Sequence, residues 1–290
     1  MISSQPVPKR IAIIVHLSIP DGLARAEEMA RFLSEQGVEN VLWGSFQDAA
    51  LMKKVRAGQL DLLITLGGDG SVLHAGSIGA PLGVPILGIN LGHFGFLTEI
   101  ERDAWREMLS QLLRGEYRLE ARMMLHAEHW RNDKKLGAWH VVNEVVVCRG
   151  QFVRPIQIET RVDGQLLKTF VADGLITSTP TGSTAYALAA GGPILPPELR
   201  NILIIPVAPH FSMDRAIILA QGASVAMTVH TNHEAVMSVD GQPPVPMLEG
   251  DSILVTSNEH TLHFVRFQDP GYFYRKITAY MEQNPLTGNR

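Results

Sequence analysis

The sequence is poor in cysteine, in long apolar runs and in net charge, and each shortage excludes a class of protein. Its 290 residues include one cysteine, Cys148, so no disulfide can form within the chain, and a reducing compartment is expected. No apolar run is long enough to span a membrane, and residues 11–15 are too short for the core of a signal peptide. We therefore expect a cytoplasmic protein that makes no membrane contact.

Charge and missing motifs narrow the function further. The formal net charge of −4 and the pI near 6.3 argue against a nucleic-acid partner, so any phosphate site must be local. The sequence has no G-x-x-x-x-G-K-[ST] loop, no G-x-S-x-G elbow, no H-E-x-x-H motif and no cluster of cysteine with histidine. The common triphosphatase, hydrolase and zinc-site mechanisms are therefore not indicated.

The first third of the chain alternates between two patterns. Strands are predicted at residues 11–17, 38–43, 60–66 and 84–89, and helices at residues 21–36, 48–57 and 103–114. This alternation is typical of a parallel sheet with helices on both faces. Ligands on such sheets collect at the carboxyl ends of the strands.

From residue 118 the pattern becomes that of an all-β region. Strands are predicted at residues 119–131, 139–148, 156–162, 166–171, 175–178, 202–206, 216–219, 225–230, 235–239, 253–257 and 262–267. The expected fold is an α/β N-terminal domain with a parallel sheet (residues 1–115) and a C-terminal all-β sandwich-like domain (residues 116–268). A final helix within residues 269–290 is expected to pack back on the first domain.

The third predicted strand ends in the turn Gly67-Gly68-Asp69-Gly70-Ser71, which leads into a predicted helix. Such a turn gathers unpaired backbone N–H groups and suits a phosphate group. Asp69 would repel a phosphate unless a metal or a proton transfer involves it. His74, one helical turn later, is predicted to face the same loop as a ligand contact, although a histidine at such a position is often only a surface residue.

A second glycine-rich loop follows the fourth predicted strand and carries Asn90, Gly92 and Gly95. We expect it beside the first loop, because the carboxyl ends of parallel strands share one edge of the sheet. Its spacing matches a dinucleotide fingerprint only loosely, and each glycine could equally serve a tight turn.

Three polar segments stand out in the β region. Residues 172–193 are rich in hydroxyls and glycine, and a short helix near Ser183 could bind an anion while Tyr186 stacks on a base. The alternative is a capped surface helix with Tyr186 packed beneath it.

Asn143 and Glu144 interrupt a predicted buried strand, so a ligand or a basic residue must satisfy them, unless they form an exposed edge bulge. Asp240-Gly241 signals a hairpin turn first and a site second.

Together, these motifs resemble the NAD kinase family. The Gly-Gly-Asp-Gly turn, residues 88–97, the pair Asn143-Glu144 and residues 173–192 occur in the order and spacing of that family. Lipid kinases and phosphofructokinases also carry the first turn, but the stretch Thr-Pro-Thr-Gly-Ser-Thr-Ala-Tyr at residues 179–186 is far more specific.

The resemblance implies an NAD kinase-like two-domain fold and transfer of the ATP γ-phosphoryl group to the 2′-hydroxyl of the adenosine ribose of NAD. It makes Asp69 the catalytic carboxylate, as general base or through Mg²⁺ that arrives with ATP, and no direct metal ligand is predicted. The implied phosphate and nucleotide contacts are Gly67, Gly68, Gly70 and Ser71. The implied NAD contacts are Asn143, Glu144, Arg154, Asp173, Thr184, Ala185, Tyr186, Ala189 and Gln242. A homodimer or homotetramer is expected.

Two other functions stay open at this stage. A lipid kinase of the same superfold would need an apolar acceptor cleft, and residues 181–186 with Asn143-Glu144 speak against one. A non-catalytic dinucleotide sensor would bind NAD without turnover, and the intact Asp69 argues against it. The choices between NAD and NADH and between ATP and polyphosphate are also left open.

Overall fold

In the computed structural model, which describes residues 5–92, 95–210 and 215–282, the chain forms two compact units. The first contains Met1–Ala75, Val84–Glu120 and His263–Arg290, and the second contains Gly76–Gly83 and Ala121–Leu262. Within the described residues, no helix has both the length and the apolar character that crossing a membrane requires.

The first unit begins with strands that alternate with helices. In chain order the elements are β1 (Arg10–Val15), α1 (Gly22–Glu35), β2 (Asn40–Ser45), α2 (Ala49–Arg56), β3 (Leu62–Leu66), α3 (Asp69–Gly79), β4 (Ile86–Ile89) and α4 (Trp105–Leu113). The last residues of α3 already belong to the second unit, and the short 3-10 helix Ala80–Leu82 follows them.

The strands of the first unit form a parallel sheet in the order β2-β1-β3-β4. Strand β3 is buried throughout, and α1 and α4 contribute Met29, Leu33, Leu109 and Leu112 to the same core. Because β2 and β3 lie on opposite sides of β1, the strand order reverses there. The loops that follow β1 and β3 therefore diverge at a topological switch point, where α/β proteins bind ligands.

The second unit is built from strands. In chain order the remaining elements are β5 (Arg118–Arg131), β6 (Lys134–Val141), β7 (Glu144–Arg149), β8 (Ile156–Val162), β9 (Gln165–Ala172), β10 (Gly174–Ser178), α5 (Tyr186–Ala189), β11 (Asn201–Val207), β12 (Ile217–Ala220), β13 (Val225–His230), β14 (Ala235–Val239), β15 (Val245–Met247), β16 (Ser252–Arg266) and α6 (Tyr272–Glu282). A 3-10 helix, Thr181–Thr184, precedes α5, and α6 belongs to the first unit.

Two sheets of the second unit share one apolar core. One has the order β12-β11-β10-β7-β14-β15, and strands β5, β6, β8, β9 and β13 with part of β16 form the other. Val145 and Leu175 of the first sheet lie in the same core cluster as Ile158, Phe170 and Met227 of the second. This packing is a β-sandwich, so the predicted fold class is confirmed.

Some predicted strand boundaries are wrong, for local reasons. The strand predicted at residues 139–148 is two strands, β6 and β7, because the amides of Val142 and Asn143 turn toward the Asp240 carboxylate. The strands predicted at residues 253–257 and 262–267 are one strand, β16. Strand β3 starts at Leu62, since the Asp61 carboxylate instead accepts hydrogen bonds from the Arg10 side chain and amide.

Candidate active site

The glycine turn after β3 has the predicted strand–turn–helix form. Gly67 has a φ of +147°, and a Cβ there would lie 2.4 Å from Ser71 Oγ, so only glycine fits. Its own N–H donates to the Ile89 carbonyl at 2.9 Å, which leaves the phosphate role to other amides. A Cβ on Gly68 or Gly70 would meet no atom within 4 Å, so this backbone faces open space. The start of α3 lies in this turn, and a helix N-terminus suits an anion.

Asp69, the first residue of α3, is clamped by backbone amides. Its Oδ2 accepts the Phe96 N–H and its Oδ1 accepts the Leu97 N–H, both at 2.9 Å. A Cβ on Gly95 would lie 2.4 Å from Asp69 Oδ1, so the loop can approach the carboxylate only because residue 95 is glycine. The two predicted glycine loops are thus brought together, and their contact is through Asp69.

Two cations from the C-terminal segment hold this second loop. Lys276 on α6 donates to the carbonyl oxygens of Gly95 at 3.3 Å, Phe96 at 3.4 Å and Thr98. The fully buried Arg266 donates to the Leu97 carbonyl at 3.0 Å. Neither residue was expected at the site from the sequence. A lysine among the apolar residues of a terminal helix carries no local signal of such a role.

Other predicted residues of the first unit lie on the flanks of the turn. The exposed His74 ring stacks on Phe46 with centroids 4.3 Å apart, so part of its role is packing. Asn90 is buried, and its Oδ1 accepts the Gly92 N–H at 3.0 Å, which shapes the second loop. His93 and Phe94 of the same motif lie outside the described residues.

In the second unit, Asn143 and Glu144 lie at the turn between β6 and β7. The Asp240 carboxylate accepts the amides of Val142 at 2.8 Å, Asn143 at 2.7 Å and Glu144 at 3.1 Å. Asp240 has a left-handed backbone (φ 49°) in the predicted Asp-Gly turn, so the turn is confirmed and also anchors the pair. Within the described chain, Asn143 Oδ1 and Glu144 Oε2 are buried without a hydrogen-bond partner.

The ionisation of this pair follows from its burial. Burial, with the charge of Asp240 added, raises the pKa of Glu144 to about 8. Burial also raises the pKa of Asp240 to about 6, although the three backbone amides oppose the shift. Glu144 is therefore protonated near neutral pH, where its carboxyl group can both donate and accept a hydrogen bond.

The hydroxyl-rich segment packs directly against Asn143. Thr179 Oγ1 donates to the Val142 carbonyl at 2.7 Å, and Ser178 Oγ donates to the Asn143 carbonyl at 3.1 Å. A Cβ on Gly182 would lie 2.4 Å from that carbonyl oxygen, so the approach requires glycine. The short helix predicted near Ser183 is present as the 3-10 helix Thr181–Thr184, and its anion-binding role stays a prediction. The Ser183 hydroxyl donates to Pro180 O and accepts the Leu195 amide.

The remaining predicted NAD contacts of the second unit differ in exposure and in partners. Tyr186 is 44% exposed at the start of α5, which leaves a ring face open and argues against a residue packed beneath a helix. Asp173 Oδ2 lies 3.1 Å from Arg149 Nε, and the two form an ion pair. Thr184, Ala185 and Ala189 lie in or beside the two short helices, whereas Arg154 and Gln242 are exposed on loops.

The donor set bears on the metal. In the described ranges, no group of three or more His, Cys, Asp or Glu side chains is placed to hold an ion. Mg²⁺ in phosphotransferases is commonly held by one or two carboxylates together with substrate phosphates. Asp69 is a carboxylate beside an open anion-binding backbone, so these residues fit a metal that arrives with a nucleotide.

The fold and these two groups of residues define an α/β unit with an open glycine turn and a β-sandwich unit with an unsatisfied polar pair, the class of a two-domain α/β and β-sandwich protein. The family model for the ATP-NAD kinase N-terminal domain matches residues 11–117, and the model for the C-terminal domain matches residues 142–267. An NAD kinase of Heliobacterium modesticaldum is 38% identical over 280 residues, which cover 94% of this chain and 98% of that protein.

Solved structures agree on the fold. Yeast NADH kinase, solved with NADH, superposes with a TM-score of 0.81 at 24% identity and covers 96% of this chain and 89% of its own. An Archaeoglobus fulgidus NAD kinase, solved with ATP, gives a TM-score of 0.72 at 23% identity over 93% of this chain and 99% of its own.

The chain belongs to the NAD kinase family. Its reaction is the phosphorylation of NAD to NADP. The recognition made from the motifs is therefore confirmed, and it displaces the lipid kinase and the non-catalytic sensor. The individual site residues stay predictions, since the comparisons do not address them.

Proposed function

We propose that Asp69 is the general base for attack of the 2′-hydroxyl of the adenosine ribose on the terminal phosphorus of the donor. The observation that carries this role is the clamp of two backbone amides, which fixes the carboxylate at the start of α3. Each carboxylate oxygen retains lone-pair capacity beyond the one amide it accepts. Asp69 can therefore still accept a proton from a hydroxyl group.

The step balances as follows. The hydroxyl proton moves to Asp69, the ribose oxygen forms a bond to the γ-phosphorus of ATP, and the bond from that phosphorus to the β-bridging oxygen breaks to release ADP. The backbone at Gly68 and Gly70, where an added Cβ would meet open space, binds the phosphate groups together with Ser71. Polyphosphate presents the same terminal group, so it belongs to the proposal as an alternative donor.

Recognition of NAD is assigned to the second unit. The buried, unpartnered oxygens of Asn143 and Glu144 support it, because a buried polar atom without a partner costs about 1–3 kcal/mol unless a ligand satisfies it. Protonated Glu144 can both donate to and accept from ribose hydroxyls. Tyr186 offers an open ring face for stacking, and Asp173, Thr184, Ala185, Ala189, Arg154 and Gln242 complete the proposed set.

Mg²⁺ is the proposed cofactor. When bound with ATP it would neutralise charge on the phosphate oxygens. Among the protein groups, the Asp69 carboxylate is the one we assign to its neighbourhood. Asp69 could take part in proton transfer and in holding the metal. An experiment can distinguish these two roles, because only the second depends on the Mg²⁺ concentration.

A homodimer or homotetramer in the cytoplasm completes the proposal. The strongly exposed apolar side chains of Phe152 and Val153, at 61% and 84%, support a subunit contact. The free thiol of Cys148 suits a reducing compartment. Light scattering of the purified chain tests the oligomer.

The test of the catalytic role is Asp69→Asn, assayed for NADP formation from NAD and Mg-ATP. We expect kcat to fall about 10²–10⁴-fold, because a general base contributes that much, while the affinity for NAD measured by calorimetry stays within about twofold. Asp103→Asn, an exposed aspartate of the same unit, is the matched control and should leave kcat unchanged. An Asp69→Asn enzyme with the wild-type kcat would refute the base assignment.

The same assay sets the substrates. Repeating it with NADH in place of NAD, and with polyphosphate in place of ATP, ranks the acceptors and donors by kcat/KM. Turnover with ATP and none with polyphosphate would remove polyphosphate from the proposal without touching Asp69.

A further inference from the structure

Lys276 and Asp69 contact opposite edges of the same two peptide groups. In the peptide between Gly95 and Phe96, the carbonyl accepts from Lys276 at 3.3 Å and the N–H donates to Asp69 at 2.9 Å. In the peptide between Phe96 and Leu97, the carbonyl accepts from Lys276 at 3.4 Å and the N–H donates to Asp69 at 2.9 Å. A trans peptide directs its C=O and N–H to opposite sides, so both groups connect the ammonium to the carboxylate.

This arrangement is electrostatically ordered. Each peptide dipole presents its oxygen to a cation and its hydrogen to an anion, and hydrogen bonds in such a chain polarise one another. The ammonium has three donors and no acceptor, and the carbonyls of Gly95, Phe96 and Thr98 match them in number. The loop is therefore fixed in the one orientation that directs two amides at Asp69.

The partners of Lys276 distinguish it from the neighbouring cation. Arg266 forms ion pairs with Glu99 at 3.0 Å and with Glu120 at 3.3 Å, so it belongs to a buried charge network. Lys276 donates hydrogen bonds to backbone carbonyls of a single loop, and its Nζ also lies 5.8 Å from the centroid of the Tyr272 ring. Burial, with the charge of Arg266 added, lowers the pKa of Lys276 to about 8, and the charges of Glu99 and Asp69 oppose the shift.

We propose that Lys276 is a positioning residue for the reaction, which holds the loop at residues 95–98 so that its amides orient the Asp69 carboxylate. The proposal rests on the proposed role of Asp69. It assigns to helix α6, at the end of the chain, a part in the chemistry at the start of α3. Lys276 itself touches neither substrate in this role.

The test compares Lys276→Met with Arg275→Met, its neighbour on α6, whose guanidinium forms an exposed ion pair with Asp269. For Lys276→Met we expect kcat to fall at least about tenfold, because a small displacement of a catalytic group can cost about 100-fold, and the KM for NAD to stay within about twofold. Lys276→Arg keeps the cation and should recover part of the kcat. It also supplies a second variant if Lys276→Met does not fold, as judged by thermal melting.

A double-mutant cycle separates positioning from a general loss of structure. If Lys276 acts through Asp69, adding Lys276→Met to Asp69→Asn should lower kcat by less than about twofold more, since residues that act as a unit are not additive. The same loss in both backgrounds, or a Lys276→Met enzyme that behaves like Arg275→Met, would overturn the proposal. If Asp69→Asn alone keeps the wild-type kcat, the base assignment is what fails.

Discussion

Asp69 in the first unit accepts a backbone amide on each carboxyl oxygen, whereas Glu144 in the second unit keeps one buried oxygen unpartnered in the described chain. Both are acidic residues next to a polar turn that follows a strand. Their surroundings differ because Asp69 lies at a helix start beside a second loop, and Glu144 begins a strand beside another carboxylate, Asp240. The same chemical group is thus prepared for two different tasks.

The comparison shows how each unit accommodates a polar group, which loses free energy when it is buried without a hydrogen-bond partner. Around Asp69 the protein provides a backbone amide for each carboxylate oxygen before any substrate binds. Around Glu144 it leaves an atom unsatisfied, and burial favours the neutral form with a pKa of about 8. A carboxylate that is already held by amides favours a high reaction rate. A buried oxygen without a partner favours ligand binding and lowers the stability of the fold.

After Asp69→Asn, the largest expected loss of kcat comes from a substitution that disrupts the amide clamp around Asp69. In Gly95→Ala, the new methyl group would lie 2.4 Å from Asp69 Oδ1, so the loop or the carboxylate must move. We expect kcat for NADP formation to fall about 100-fold, because a misplacement near 1 Å costs about that much. Steady-state kinetics with NAD and Mg-ATP measure it.

The matched control is Gly92→Ala in the same loop. A Cβ on Gly92 meets no atom within 4 Å, so kcat should change less than about twofold. Equal losses in both variants would mean that the loop tolerates no alanine for reasons unrelated to Asp69, and the clamp would lose its support.

A third carboxylate sharpens the comparison, because it is buried in the second unit and yet fully paired. Asp251 accepts Arg131 Nε at 2.7 Å, Arg131 Nη2 at 2.8 Å, His129 Nε2 at 2.9 Å and the Leu248 amide at 2.9 Å. Burial alone would raise the pKa of Asp251, but the hydrogen bonds from Arg131, the Leu248 amide and His129 lower it to about 2. The pKa values of Asp251 and Glu144 therefore differ because of their hydrogen-bond partners, since both residues lie in the second unit.

For Asp251→Asn we expect a loss of about 2 kcal/mol in the free energy of unfolding, because Asp251 is fully buried and hydrogen bonds to a charged group contribute about 1.5–3 kcal/mol. The lowered pKa adds stability above the unfolded value near 4, and this contribution is lost as the pH falls toward 2. Urea titrations of the wild type and the variant between pH 6 and pH 2 should therefore converge at the acid end.

The control for Asp251 is Glu39→Gln, which removes an exposed ion pair with Lys9 and should cost less than about 1 kcal/mol at every pH. If the two variants differ by a constant amount down to pH 2, the hydrogen bonds to Asp251 do not depend on its charge.

Sequence alone could predict the parts of this site that are local. The glycine turn and Asp69 are adjacent residues after a strand, and the Asp240-Gly241 turn is set by residues that adopt positive φ. The amides that hold Asp69 come from residues 27 and 28 positions away, and Lys276 comes from the last helix. Those partners depend on the fold of the whole unit, so the spacing of residues in the sequence does not predict them.

The hydroxyl-rich segment near Ser183 shows a related limit of sequence reasoning. Its pattern predicts a short helix with a possible anion site, but not the partners of its hydroxyl groups. Ser183 and Thr179 make hydrogen bonds to backbone groups, as hydroxyls in turns often do. Nothing in a run of Thr and Ser tells whether backbone or ligand is the partner.

The smallest expected effect tests the second half of the comparison through Glu144→Gln. Since the folded pKa is near 8 and the ordinary value near 4.5, the folded chain binds more protons than the unfolded chain between these values, and stability falls as the pH rises through them. Glutamine does not titrate, so the variant should gain at least about 1 kcal/mol over the wild type at pH 8 and little at pH 5. Thermal melting at a series of pH values measures the difference.

For Glu144→Gln we expect the affinity for NAD to fall, although the stability at pH 8 rises. Glutamine retains a donor and an acceptor but not the geometry of a carboxyl group, so calorimetry should give a Kd raised about tenfold, which corresponds to about 1.4 kcal/mol of lost binding free energy. Glu198→Gln, at an exposed position of the same unit, should change neither quantity. A variant that is more stable at pH 8 and binds NAD as tightly as the wild type would mean that the unpartnered oxygen of Glu144 is not there for the nucleotide, because stability would then have been lost without a gain in binding.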